Sequence, residues 1–175
     1  VKIGQVKPDK LDLNDCSYVS SNRIEEFKNE IIENGDVLMA LTGATLGKAC
    51  LVDNIKGIVF QNYRVGRFEP KIKDKDIDKT FLYYLFIEGN LLKQIFSKVN
   101  SGAQGNIGKT DFEKAFFKKP RYAEQLFIAE RLKSINNKIQ TEQTYLHKMQ
   151  QIKAGLMADL LSGKKEVRVE EESIN

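Results

Sequence analysis

The stretch that decides the fold runs from residue 121 to residue 163 and reads RYAEQLFIAERLKSINNKIQTEQTYLHKMQQIKAGLMADLLSG. It contains no proline, and Gly155 is its only internal glycine. Apolar side chains recur in steps of three, four or seven residues, which places them on one stripe of an α-helix. The stripe consists of Ile128, Leu132, Ile135, Ile139, Leu146, Met149, Leu156 and Leu160. The spacing predicts a long helix of coiled-coil type over residues 121–163, ended by Ser162-Gly163.

The length of this helix has a consequence for its packing. About 40 residues span roughly 60 Å, which is longer than a small domain is wide. We therefore expect the apolar stripe to pair with a partner helix. The alternative, a helix folded back on its own domain, stays open.

Residues 1–120 mix strand and helix patterns, and Pro120 marks the boundary with the long helix. Gly35-Asp36 is a turn signal, and a hairpin is expected after it. Four runs have the length and pattern of strands: residues 37–41, 48–52, 57–60 and 63–68. Residues 79–98 have helical spacing that is interrupted at Gly89-Asn90, which predicts one helix or two short ones. The chain is thus predicted to have an α+β fold, with a mixed domain over residues 1–120, the long helix over 121–163 and a charged tail over 164–175.

Charge is distributed unevenly along the 175 residues, whose formal net charge is +4. Residues 1–47 carry a net −3, residues 48–120 a net +6 and residues 121–175 a net +1. A basic segment of this kind can face the phosphates of a nucleic acid. The alternative is a lysine-rich face exposed to solvent.

The composition argues against several classes of protein. Cys16 and Cys50 fit no zinc spacing and are expected to be reduced thiols of a cytoplasmic protein. With His147 as the only histidine, a histidine-rich metal site and a Ser-His-Asp triad elsewhere in the chain are not expected. The longest apolar run, Phe81–Ile87, is too short to span a membrane, and no secretory leader is visible. We expect no metal and no cofactor.

Two glycine-rich loops resemble nucleotide-binding loops. Residues 43–49 are one residue short of that motif and end in Ala49, where a hydroxyl must reach magnesium; residues 103–110 fit a looser form of it. A true phosphate-binding loop joins a buried strand to a helix, and no buried strand is predicted before residue 103. We predict neither a nucleotide site nor a catalytic site.

Several stretches, taken in their order along the chain, resemble the DNA-specificity subunits of Type I restriction–modification systems. The first is Gly35-Asp-Val-Leu-Met-Ala-Leu-Thr-Gly43 with Gly47-Lys48, followed by Gln61-Asn62 ahead of Arg64-Val65. The others are Gly102-Ala-Gln-Gly-Asn-Ile107, Pro120 with Glu124-Gln125 and Ile128-Ala129, and Leu156-Met-Ala-Asp-Leu-Leu-Ser-Gly-Lys164. The resemblance covers almost the whole chain.

The resemblance implies a particular organisation and set of partners. A full specificity subunit carries two target-recognition domains, which two conserved antiparallel helices hold apart. This chain then corresponds to the C-terminal half of a subunit with an N-terminally incomplete recognition domain, or to a naturally short half-subunit that dimerises. The implied partners are double-stranded DNA, modification (methyltransferase) subunits, restriction subunits, and a second specificity half or another copy of the chain. Catalysis is expected in the partner subunits and not in this chain.

Sequence reading requires short polar side chains and Arg or Lys on loops, where they can reach base edges. The loops of this chain supply such groups in three places, and each of them has turn formation as its alternative role. The candidate DNA-binding residues are Thr42, Thr45, Lys48, Gln61, Asn62, Arg64, Ser101, Gln104, Asn106 and Lys109.

Two other functions remain open at this point. The chain is alternatively the recognition end of a larger single-chain restriction or methylation enzyme, although it contains no Asn-Pro-Pro-Tyr-type methyltransferase motif. It is alternatively a coiled-coil scaffold that does not touch DNA.

Overall fold

The computed structural model describes residues 1–8, 10–69, 77–97 and 106–167. The chain divides into two compact units, Val1–Glu130 and Arg131–Asn175. Helices and small sheets are both present, so the predicted α+β class is confirmed. Within the described residues, no helix combines the length and the apolar character that crossing a membrane requires.

The first unit is built around a three-stranded antiparallel sheet. Its strands are β3 (Val37–Ala40), β4 (Ala49–Leu51) and β5 (Val65–Phe68), in the order β4-β3-β5. Two shorter strands, β1 (Val6–Lys7) and β2 (Lys10–Leu11), form a separate antiparallel pair. The hairpin predicted after Gly35-Asp36 is confirmed, because β3 pairs with β4.

The strand predicted over residues 57–60 is wrong. Only Phe60 pairs there, in an isolated bridge with Ile31. Gly57 has a φ of +82°, in the left-handed region, and Ile58 is exposed, so the run does not start as an extended, half-buried strand. The Ile32 N–H still donates to the Val59 carbonyl at 2.8 Å, which gives local pairing without a ladder.

All four residues of β3 are buried, and they alternate between two apolar clusters. On one face, Val37 and Met39 pack in a cluster with side chains of the helices α1 (Lys79–Glu88) and α2 (Asn90–Phe96). On the other face, Leu38 and Ala40 pack in a cluster with Val6, Ile32, Cys50, Val52 and Val65. Burial on both faces requires a strand that is apolar at every position.

The helical segment predicted over residues 79–98 is two helices. Gly89 ends α1 with a φ of +91°, and α2 begins at the next residue.

Gly47, in the β3–β4 loop, has a φ of +80°, and a Cβ atom on it would lie 2.7 Å from Cζ of Phe96 in α2. A glycine is therefore required at position 47 for both its backbone angle and its close contact.

The turn before β3 joins the sheet to α1 through a buried carboxylate. Asp36 is 2% exposed, and one of its oxygens accepts from the Glu33 N–H at 2.9 Å. The other oxygen lies 2.7 Å from Nζ of Lys79, the first residue of α1. The buried charge is thus both hydrogen-bonded and paired, as burial requires.

The long helix, α4, spans Tyr122–Leu161, so the helix predicted over 121–163 is confirmed. Gly163 follows it with a φ of +72°, as expected for a glycine after a helix end. A shorter helix, α3 (Lys109–Glu113), precedes it and already includes Lys109 and Thr110, which the sequence placed in a loop. Residues 103–105 of the second glycine-rich loop (residues 103–110) lie outside the described residues.

Gln125 anchors the first turn of α4 in the interior of the first unit. Its side chain is fully buried. Oε1 accepts from the Asp78 N–H at 3.0 Å, and Nε2 donates to the Pro120 carbonyl at 2.9 Å. Asp78 also caps α1 by accepting from the Phe81 N–H at 2.8 Å. The starts of α1 and α4 are therefore joined by one amide side chain.

We expect the substitution Gln125→Met to lower the free energy of unfolding by about 2 to 4 kcal/mol. Methionine keeps the volume but removes the bonds to two backbone groups, at about 1–3 kcal/mol for each one left unsatisfied. Urea denaturation followed by circular dichroism measures the change. Gln150→Met, at an exposed position of α4, is the matched control and should stay within about 0.5 kcal/mol of wild type. Equal stabilities of the two variants would contradict the anchoring role.

The two cysteines should differ in reactivity. Burial raises the pKa of the Cys50 thiol to about 12, so this thiol stays protonated and shielded up to pH 9. Cys16 is only partly buried. Iodoacetamide at pH 8 should therefore label Cys16 and leave Cys50 intact in the native protein, as read by mass spectrometry of peptides. Both should be labelled in urea; native labelling of Cys50 at the rate of Cys16 would refute the prediction.

Candidate nucleic-acid interface

Three loop segments meet at one end of the central sheet. The Leu41 N–H donates to the Arg64 carbonyl at 2.9 Å, and the Ile107 N–H donates to the Leu41 carbonyl at 2.9 Å. Thr42 and Asn106 form an isolated antiparallel bridge. We call the surface formed by residues 41–48, 61–64 and 106–108 the loop end. It brings together segments that are up to 67 residues apart in the sequence.

A surface depression lies at the loop end, and three of the predicted DNA-binding residues line it. They are Thr42, Arg64 and Asn106, which offer a hydroxyl, a guanidinium and an amide. Sequence reasoning missed a fourth polar residue, Tyr63, whose side chain is 79% exposed. The only signal for it was its place between Asn62 and Arg64. The full lining is Ile3, Leu41, Thr42, Gly43, Tyr63, Arg64, Asn106 and Ile107.

Tyr63 and Arg64 form a pair within this depression. Nε of Arg64 donates to the Tyr63 hydroxyl at 3.0 Å, and the guanidinium carbon lies 5.3 Å from the centre of the Tyr63 ring. The Arg64 N–H donates to Oδ1 of Asn62 at 3.1 Å. The guanidinium is thus held both by a hydrogen bond and by a cation–π contact.

Other predicted residues bond within the loops themselves. Oγ1 of Thr45 donates to the Ile3 carbonyl at 3.3 Å, and the Asn62 side chain caps its own turn through the bond to Arg64. The Gln61 N–H donates to the Glu30 carbonyl at 2.8 Å, and Oε1 of Gln61 is buried. The side chains of Thr45 and Asn62 thus bond within the loop end. The buried Oε1 of Gln61 has no hydrogen-bond partner within the described part of the chain.

The remaining candidates differ in what surrounds them. Lys48 is exposed, and within the described part of the chain it has no ion-pair partner. Lys109 is exposed and lies 3.9 Å from the Glu113 carboxylate, one helical turn away. Ser101 and Gln104 lie outside the described residues.

Charge separates the two ends of the sheet. Residues 41–48, 61–64 and 106–108 contain no acidic residue but include Lys48 and Arg64. The opposite end carries the acidic side chains Glu33, Asp36, Asp53 and Glu69. Of these, Asp36 is paired with Lys79 and Glu69 with Arg67. Charge therefore favours the approach of a polyanion to the loop end over the other end of the sheet.

The structure gives the first glycine loop a role unrelated to nucleotides. Residues 43–45 form a short 3-10 helix, and the chain continues into β4, so the loop is the turn of a hairpin and does not lead into a helix. Within residues 1–8, 10–69, 77–97 and 106–167, no three His, Cys, Asp or Glu side chains cluster closely enough to hold a metal ion. What the loop end offers chemically is a set of hydrogen-bond donors and acceptors suited to binding.

Comparisons with known proteins identify the family of this chain. Residues 7–152 match the model of a family described as the Type I restriction modification DNA specificity domain. A similar protein is the Type I restriction enzyme MjaVIII specificity subunit of Methanocaldococcus jannaschii, which is 28% identical over 173 residues. That match covers 96% of this chain but 40% of the relative, so the chain spans less than half of that subunit's length.

The match extends over both the sheet with its loops and most of α4, and it favours a recognition role over a scaffold or an enzyme. The resemblance seen in the sequence motifs is thereby confirmed. The chain belongs to the Type I restriction modification DNA specificity domain family.

Proposed function

We propose that this chain recognises one half of a bipartite double-stranded DNA site and directs a Type I restriction–modification complex to it. The observation that carries the proposal is the convergence of three acid-free loop segments at one end of a rigid sheet. Backbone hydrogen bonds at Leu41 hold these segments together, so their side chains are free to face a ligand.

The side chains at the loop end suggest two kinds of DNA contact. Lys48 is an exposed residue of the loop end. It suits a phosphate group, which DNA of any sequence offers. Asn106, Thr42 and Arg64 line the depression and suit base edges, since amides pair with adenine and guanidinium groups with guanine. Lys109, Ser101 and Gln104 remain further candidates.

The proposal assigns this chain recognition and leaves catalysis to partner subunits. Methyl transfer then belongs to modification subunits, and cleavage belongs to restriction subunits. The proposed parts of the chain are the recognition domain (residues 1–120), the spacer helix (121–163) and the charged tail (164–175). A cytoplasmic location is also proposed, and two free cysteines support it.

We propose that the long helix pairs with a second specificity half or with another copy of the chain. Within the second unit, Ile135, Ile139 and Leu146 share one face of α4 and are each about half exposed. Met149, Leu156 and Leu160 share a second apolar stretch of α4, nearer its C-terminus. Ile128 and Leu132 come before both stretches in the sequence and are partly buried. A row of exposed apolar side chains at this spacing is typical of a helix that packs against a partner.

The DNA contacts can be separated by their salt dependence. With three to five phosphate contacts, log K should fall with log salt at a slope of about −3 to −5. Lys48→Ala should weaken binding to every sequence alike and reduce this slope by about one. Asn106→Ala should cost about 1–3 kcal/mol on the true site and little on other sequences. Fluorescence anisotropy of labelled DNA, titrated with the chain bound to its modification subunits, measures both the salt slope and the affinity for each sequence.

Lys56→Ala is the matched control for the charge change. Lys56 follows β4 on the side of the sheet where the Ile55 N–H bonds to Asn34, away from the loop end. This variant should keep the wild-type slope. Unchanged slope and site choice in both loop-end variants would refute the proposal.

The helix pairing can be tested by oligomeric state. Ile135→Asp combined with Ile139→Asp should convert a self-associated chain into a monomer, because each change places a charge in an apolar contact. Light scattering at tens of micromolar measures the mass. Asn137→Asp with Thr144→Asp adds the same charge on the opposite side of α4, at exposed positions, and should leave association intact. A wild-type chain that is monomeric at this concentration would contradict pairing between copies of the chain.

A further inference from the structure

We infer that Arg64, held in place by Tyr63, reads a guanine at the loop end. This inference rests on the proposed function and adds to it a specificity-determining residue, a positioning residue and the base that they select. It starts from the pair of contacts between the two side chains, which fix the guanidinium from one side.

The geometry leaves the outer edge of the guanidinium free. Nε is used by the hydrogen bond to the Tyr63 hydroxyl, at 3.0 Å. Within the described part of the chain, neither terminal nitrogen of Arg64 has a hydrogen-bond or ion-pair partner. The two terminal nitrogens are therefore available, and their parallel outer N–H groups are the donor pair that O6 and N7 of guanine accept in the major groove.

The surroundings favour a base over a phosphate as the ligand. Arg64 shares its depression with Thr42 and Asn106, whose short side chains suit base edges and would be of little use for charge neutralisation. The lysine suited to phosphate, Lys48, is not part of that lining. A guanidinium that is already held also loses less side-chain entropy on binding, which suits a contact that must discriminate between bases.

Tyr63 acts through Arg64 in this arrangement. Tyr63 is 79% exposed, so it contributes little to the core, and its hydroxyl orients the guanidinium. Removal of the hydroxyl should therefore change which base is preferred more than it changes stability or total charge.

The test begins with selection of binding sequences from a random duplex library by the full chain, followed by affinity measurements on the selected site. The selected site should contain a guanine, and 7-deazaguanine at that position, which lacks the N7 acceptor, should weaken wild-type binding by about fivefold or more. Arg64→Lys should lose preference for guanine at that position but keep the wild-type salt slope, because the charge is retained and the two-point contact is lost. With Arg64→Ala, which removes every donor of the side chain, 7-deazaguanine should have no further effect.

Tyr63→Phe should retain binding and relax the guanine preference at the same position, while Tyr18→Phe, at a 98% exposed tyrosine outside the loop end, should behave as wild type. One outcome would overturn the inference and leave the proposed function intact. It is site-specific binding that 7-deazaguanine does not weaken at any position, with a base preference that Arg64→Lys does not change. A lower salt slope in Arg64→Ala without any loss of base preference would also overturn it, since that result identifies a phosphate contact. Binding without any sequence preference would overturn both.

Discussion

Leu41 lies directly after β3, and its backbone joins the three segments of the loop end. Its N–H bonds to the Arg64 carbonyl, and its carbonyl accepts from the Ile107 N–H. Its side chain lies over β5, where a Cβ atom on Gly66 would be 3.0 Å from Leu41 Cδ2. The absence of a side chain at position 66 leaves room for the Leu41 side chain beside this junction. Without this junction, Thr42, Arg64 and Asn106 would have no fixed relation to one another.

The core explains why this junction is rigid. β3 is buried on both faces, so it cannot shift its register by one residue without moving its apolar side chains into the wrong cluster. Asp36 at the far end of β3 is paired with Lys79, which fixes the sheet to α1. Gln125 then fixes the start of α4 to the start of α1. A continuous series of contacts therefore runs from the loop end to the first turn of the long helix.

The features that local sequence patterns encode were the ones that could be predicted. The β3–β4 hairpin follows from a Gly-Asp turn and an apolar run, and the long helix follows from its apolar spacing. The break at Gly89 follows from a glycine at a helix end. The strand expected at residues 57–60 failed because an apolar run does not reveal that Gly57 adopts a left-handed angle. The motif containing Gln125 was recognised, but a glutamine in the first turn of a helix gives no local sign that it is buried.

The interface was harder to predict because it depends on contacts between distant residues. Nothing local to Thr42 indicates that it pairs with Asn106, and nothing local to Tyr63 indicates that its hydroxyl holds Arg64. Among the candidates, the sequence could not distinguish side chains that face outward from those, such as Thr45 and Asn62, that bond within the loops. Residue type identifies groups capable of reading DNA, but only the packing of the loops decides which of them are available.

This arrangement separates the stability of the fold from the choice of ligand. The loop end is held by bonds between backbone groups, which any side chain at positions 42, 64 or 106 preserves. The side chains at these positions contribute little to the buried clusters on either face of the sheet. Exposed substitutions away from core and caps change stability by about 0.5 kcal/mol or less. A different set of polar residues can therefore occupy the same three positions at little cost to the fold, and under the proposed function a single frame then carries different DNA specificities.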